Sequence, residues 1–280
     1  SRLVTLADRE RLEPYFHAFS PNIQDYSFAI NLAWYAHQGL CFRFIAGCLC
    51  LFRVEHGLLS MPLPPLGPRE AVPRALMLCF AALRDANGTL AERSVQCVHG
   101  DVIEALRTAP VAPPVRVEMG WPDYLYRTES LRALRGAAYK AKRNDINQFL
   151  RAHPGATLTP LTSGDLPEVL ALCRGWLQHL QERRPEDQDT EALRFAWHEL
   201  RAIRFALRHL DALGLVGLRL DDGGRLLGFT IGERLRPGVA SVLFEKTDLS
   251  VKGAAQYLFR EFCETFADCV MPAVASSVWL

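Results

Sequence analysis

The period of apolar and polar positions changes repeatedly along this chain, and each change marks an element. Residues 4–19, VTLADRERLEPYFHAF, place Leu12, Tyr15, Phe16 and Phe19 at helical spacing behind a polar opening, which predicts an amphipathic helix ended by Ser20-Pro21-Asn22. Residues 25–35, DYSFAINLAWY, suit helix and strand equally. From Gly39 onward, short runs of Phe, Cys and Leu separated by Gly-containing turns predict a meander of strands, followed by a loop over 62–68. Helical spacing returns over 69–83 and 101–107, with short strands predicted at 94–99 and 115–119.

The second half runs through the same order. A strand at 157–161 leads into TSGDLPEVLALCRGWLQHL, where capping residues and a proline precede a helical apolar stripe. An acidic surface loop at 182–191 is followed by a long amphipathic helix over 193–213, in which His198 and His209 read as ordinary helix residues. Three strands (215–220, 226–235, 239–248) follow in series, joined by an Asp222-Gly223 turn and an RPG turn. A helix capped by Ser250 and a last apolar run close the chain. The expected architecture is α/β (α+β): two tandem domains, 1–120 and 156–280, each a mixed, largely antiparallel sheet flanked by helices.

Between them, residues 121–155 read as a basic helical connector. From Asp123 to Arg151 it carries seven Lys/Arg against three acids, a net +4 in a chain whose total is +1. Lys140, Asn144, Asn147 and Arg151 fall on one stripe, while Tyr139, Ile146, Phe149 and Leu150 are expected to turn inward. Of 32 Lys+Arg only Lys140, Lys142, Lys246 and Lys252 are lysine, so the compact ammonium is confined to two short windows.

Composition narrows the function classes. With 280 residues, 49% hydrophobic and 22% charged, the chain buries a substantial core. A pI near 7.6 excludes a uniformly basic nucleic-acid binder and leaves anion binding to local patches. The eight cysteines sit in apolar runs without CxxC or Cys/His spacing, so they read as buried hydrophobes and no metal site is expected. Apolar runs are interrupted by Arg43, Arg53 and Pro62 and no leader precedes them, so the expected location is cytoplasmic.

Candidate chemistry lies at 245–254. A strand end followed by a helix start presents free N–H groups and the positive end of the helix dipole, and Ser250, Val251, Lys252, Gly253 and Ala254 therefore form a candidate phosphate or pyrophosphate site. Glu245 and Lys246 are adjacent on the strand and point to opposite faces, Glu245 as a candidate general base and Lys246 as a candidate anion clamp.

The segment DYLYRTESLRALRGAAYKAKRNDINQFLRAHP resembles the D-Y-x-Y…K-x-R-N-x-I-N-x-F segment of bacterial proteins with a phosphatidylglycerol lysyltransferase C-terminal-like domain, and FEKTDLSVKGAAQYLFREF resembles their E-K…KGA…EF segment. Members are similar to paired GNAT acyltransferase domains and to Fem-type aminoacyl transferases. The resemblance implies a tandem GNAT-like fold with an acyl-donor site in the second half, the donor being acyl-CoA or aminoacyl-tRNA and the acceptor an amine or hydroxyl, a peripheral lipid among them. On that basis Lys140, Lys142, Arg143, Asn144 and Asn147 match the basic motif, and Glu245, Lys246, Lys252 and Gly253 the second. Lys252-Gly253-Ala254-Ala255 matches the acetyltransferase donor loop only in part, and a terminal N-R-E-x-D-x-G-like segment is not found before Leu280. A second reading keeps the fold as a non-catalytic module that holds tRNA, a nucleotide or a lipid headgroup on the 140–151 stripe.

Overall fold

The computed structural model describes residues 2–17, 23–55, 57–88, 94–112, 114–118, 124–183, 191–269 and 271–274. The chain divides into two compact units, Ser1–Pro122 and Asp123–Leu280.

In the first unit β1 (Arg2–Leu3) leads through a 3₁₀ turn into α1 (Arg9–Phe16) and then α2 (Phe28–Tyr35). The ambiguous stretch is thus helical: the Ser27 hydroxyl accepts from the Ile30 N–H and caps it, and its apolar residues are buried on nearly every side. β2 (Cys41–Ile45), β3 (Cys48–Glu55) and β4 (Leu58–Ser60) form the meander, in an antiparallel sheet of order β1-β2-β3-β4. α3 (Val72–Asn87) and α4 (Gly100–Thr108) follow, and Cys48, Cys50, Met61, Val72, Cys79, Leu83 and Val102 pack into one core. The cysteines are free thiols, six of the eight buried, as their apolar setting predicts.

Two expected strands shrink. The one at 94–99 is a single parallel bridge, Val95 on Met61. Residues 115–118 have no strand structure and are exposed, with Arg116 paired to Glu118 at the surface. Phe19 and the stop signal at 20–22 lie outside the described residues.

The second unit begins with β5 (Tyr124–Leu125), α5 (Thr128–Ala133) and α6 (Lys140–Ala152). β6 (Thr157–Pro160), α7 (Leu166–Arg183), α8 (Glu191–Arg208) and the short α9 (Leu210–Leu213) precede the meander of β7 (Val216–Asp222), β8 (Arg225–Arg236) and β9 (Val239–Thr247). α10 (Ala254–Thr265) returns the chain to β10 (Met271–Val274), which pairs parallel to β9 in a sheet of order β5-β10-β9-β8-β7-β6. The 182–191 loop lies for the most part outside the described residues.

Strand, two helices, three-strand meander, helix, returning chain: this order occurs in both units and is the GNAT-like arrangement expected from the sequence. The repeat reaches individual residues. Thr5 with Asp8, and Thr162 with Asp165, form the same capping box, after β1 in the first unit and after β6 in the second. Each acid then takes an arginine from elsewhere, Arg2 on Asp8 and Arg219 on Asp165.

From Asp123 on, the segment expected as a connector is part of the second unit's core. Ile146 and Phe149 of α6 are buried, and Phe149 joins Leu220, Leu227, Ala254 and Leu258 in one cluster. Burying a side chain of this size is worth about 2 kcal/mol. Leu150, expected inward, is 40% exposed, because the inner row runs 146, 149, 153 and leaves 150 a hundred degrees round the helix.

Candidate functional site

β8 and β9 make the centre of the second unit's sheet and set the direction of every side chain at its heart. Thr230 pairs with Glu245 and Phe229 with Lys246, but Gly232 pairs with Val242, so Leu243 is an extra residue in β9, a bulge two positions before Glu245. Gly228 and Gly232 lie on the face covered by α10: a Cβ on Gly228 would come 3.2 Å from Leu258, and one on Gly232 would come 2.9 Å from Phe262. Thr230 and Glu245 share that face, and the next residue, Lys246, points to the α7/α8 layer.

Glu245 is 7% exposed, and neither of its carboxylate oxygens has a hydrogen-bond partner within normal distance. Thr230, opposite it on the same face, carries a buried hydroxyl in the same condition, as does Ser241, which pairs with Glu233 on the other face of the sheet. Burial pushes the Glu245 carboxyl up to about 8, with the nearby Thr230 hydroxyl and the Lys246 charge pulling weakly the other way. An acid in such a place is protonated at neutral pH and loses its proton readily to nothing but a positioned base or an arriving cation.

Lys246, expected as an anion clamp, is already engaged. Its Nζ lies 2.9 Å from Glu199 on α8 and 5.1 Å from the Trp176 ring centroid on α7, with both charged groups largely buried. Trp176 in turn donates its indole N–H to the Thr247 carbonyl at 2.7 Å. The lysine therefore fastens the end of β9 to the helix layer, and Glu245 and Lys246 do not meet in one cleft.

The β9–α10 turn departs from its expected form. Ser250 does not cap the helix: Asp248 Oδ1 accepts from both the Ser250 N–H (2.8 Å) and its hydroxyl (2.6 Å), and Arg225 pairs with the same carboxylate. The Val251 N–H donates to the Asp248 carbonyl, so the amides of 250 and 251 are used within the turn. α10 starts only at Ala254, after Gly253 at φ 85°. A Cβ on Gly253 would stand 2.2 Å from the Asp145 carbonyl oxygen and 3.0 Å from the Phe149 Cβ. The close approach that this glycine permits is to the α6 backbone.

That approach joins the two motif segments, a hundred residues apart in sequence. Lys252, 68% exposed at its side chain, lies 3.6 Å from Asp145. Lys140, Asn144 and Asn147 are exposed on α6, and Asn147, Leu150 and Arg151 border an open depression of about 390 Å³. Lys142 is half-buried, and burial holds its amine below the usual lysine range against the pull of Asp145. Arg143 is structural: its guanidinium donates to the Leu134 carbonyl and, at 2.8 Å, to the Gly136 carbonyl, closing the turn where Leu134 sits at φ 46°.

Thr230, Ser241, Glu199 and Trp176 were not singled out from the sequence, since cross-strand and cross-layer partners follow from register. The role of Asp248 had a local signal, an Asp two residues before a Ser, the mark of an Asx turn.

In the second unit a meander carrying a buried acid is followed by a helix and a parallel return strand, and the first unit repeats the meander, the helix and a single parallel bridge, so the two are GNAT-like in arrangement. The chain belongs to the family described as Phosphatidylglycerol lysyltransferase, C-terminal, which matches residues 17–273. Among solved structures it is similar to a conserved protein of unknown function from Bacteroides thetaiotaomicron VPI-5482, at 24% identity and TM-score 0.79 over 97% of this chain and 88% of that one. It is similar also to the C-terminal domain of a putative lysylphosphatidylglycerol synthetase from Agrobacterium fabrum (13%, TM-score 0.60) and to L-PGS from Bacillus licheniformis (14%, TM-score 0.59), each over 96% of this chain and 78% of the other. No curated protein matches. Among the described residues no helix is long and apolar enough to cross a membrane, and no group of three or more His, Cys, Asp or Glu is placed to hold a metal ion.

Proposed function

We propose that the second unit is an aminoacyltransferase, with Glu245 as the base that receives the acceptor's proton. The carrying observation is the buried carboxylate of Glu245, without a hydrogen-bond partner in the centre of the sheet and opposite the equally unsatisfied hydroxyl of Thr230. In the reaction the acceptor hydroxyl or amine attacks the donor's acyl carbon and its proton passes to the Glu245 carboxylate. The bond from the acyl carbon to the donor's leaving oxygen breaks, and the proton leaves with that group. Positioning and polarisation of the acyl carbonyl supply the rest.

The β9–α10 turn favours aminoacyl-tRNA over acyl-CoA. A CoA pyrophosphate needs open amides and space at the start of α10, whereas the amides of Ser250 and Val251 are used and the Asp145 carbonyl fills the space beside Gly253. The exposed stripe of Lys140, Asn144, Asn147 and Arg151, with Lys252 beside it, offers an anionic donor a place on the surface instead. Membership of a phosphatidylglycerol lysyltransferase family supports an aminoacyl group as cargo and a lipid headgroup as acceptor.

Thermal shift tests the donor directly, because a ligand of the native state raises the melting temperature by mass action. Lysyl-tRNA is expected to raise it and acetyl-CoA, longer acyl-CoAs and CoA to leave it unmoved, with the shift reduced in Lys140→Ala/Lys252→Ala. A shift with a CoA compound that Lys252→Ala removes would return the donor to acyl-CoA.

A further inference from the structure

α8 has a second, outward-facing pattern that the transfer site does not use. Its inner face is Leu193, Ala202, Ile203, Ala206 and Leu207, all buried. On the outer side Trp197 (48% exposed), Arg201, Arg204 and Arg208 are exposed. Their spacing of four, three and four residues sets them in one row along three turns. Among the described residues none of these three arginines has an ion-pair partner. The helix's own acid in that stretch, Glu199, is turned to Lys246. Attraction to the helix dipole explains Arg208 in the last turn but fades before Arg204 and Arg201.

From this geometry we infer that the crest of α8 is a docking surface for an anionic lipid bilayer. A helix lying on a flat surface touches it only along its crest, and here the crest is three arginines in line with a tryptophan at one end. Arginines at an anionic membrane gain from its negative surface potential, and an exposed indole settles at the headgroup level. The row's single file suits a plane, whereas a nucleic acid, which curves around its partner, is met by a broader basic patch than three arginines in line. The surface lies on the α7/α8 side of the sheet, opposite the face on which α10 covers Glu245. It stands on α8 alone and does not depend on the transfer reading.

The test is sedimentation of the full chain with vesicles of phosphatidylglycerol and phosphatidylcholine, against phosphatidylcholine alone, without any acyl donor. Binding is expected to the anionic vesicles only and to weaken with salt. Arg201→Gln/Arg204→Gln/Arg208→Gln should weaken it about a hundredfold while leaving the melting temperature within a degree or two. Arg201→Lys/Arg204→Lys/Arg208→Lys should retain most of it. The difference in tryptophan emission between the native chain and Trp197→Phe should move to the blue on binding. Anionic-vesicle binding that the glutamine variant leaves intact would overturn the proposal, as would no binding to anionic vesicles. Retention of tRNA through the same three arginines, with vesicles ignored, would overturn it in favour of a nucleic acid.

Discussion

Glu245 is the residue whose chemistry depends most on its setting. Its carboxyl is raised from 4.5 to about 8 by burial, so the folded chain holds a proton there that the unfolded chain has released. Between those two values the native state binds more protons, and stability accordingly falls as pH rises from about 4.5 to about 8. Glu245→Gln removes the ionisable group, so the variant is expected to be more stable than the native protein at pH 8 and above, by on the order of a few kcal/mol, with the pH-dependent fall reduced in urea melts. The same substitution should lower turnover at least a hundredfold and leave donor binding nearly intact. Native turnover should climb through pH 8 as the carboxylate forms. Gly253 is the opposite kind of residue, fixed by shape. Gly253→Ala meets a positive φ and the Asp145 carbonyl together, and should cost at least about 2 kcal/mol in chemical denaturation.

At the scale of elements, β9 is tied to both of its neighbouring layers by different means. On one side the Lys246–Glu199 pair and the Trp176 indole hold it to α7 and α8; on the other, Gly228 and Gly232 let Leu258 and Phe262 of α10 come close. Breaking the pair by Lys246→Met leaves Glu199 largely buried without its cation and should cost roughly 3 kcal/mol. The double variant Lys246→Met/Glu199→Leu should recover most of that loss, and equilibrium unfolding of the four proteins in the cycle measures the coupling. An anion clamp at Lys246 would instead show an unchanged stability and a weaker donor affinity. α6 is fixed to α10 by Phe149, stacked on His153 at 5.0 Å and on Tyr257 at 5.1 Å between ring centroids. Phe149→Ala should therefore loosen the basic stripe and the β9–α10 turn together, read as lost hydrogen-exchange protection in both segments.

For the molecule as a whole, two units with separate cores imply that residues 123–280 expressed alone unfold in one cooperative transition, and a gradual melt would show the first unit to be needed for the second to fold. The periods of the sequence determined most of the elements, because a meander of short apolar runs and an amphipathic helix are local patterns that burial enforces residue by residue. They determined also the doubling of the strand, helix, meander and helix order, and the outward stripe of Lys140, Asn144 and Asn147. Local pattern failed where a partner decides: 94–99 and 115–118 have strand-like composition but little or no neighbouring edge to pair with, and 25–35 became helical under a serine cap and burial on nearly all sides. Which neighbour each polar group meets was decided by tertiary structure alone. The register of β8 on β9 sets Thr230 opposite Glu245, the packing of α8 neutralises Lys246, and the seating of α6 puts a carbonyl where Gly253 had space for a phosphate. Charges and close contacts act across a few ångströms of space, and those distances are fixed only when segments far apart in sequence are packed together.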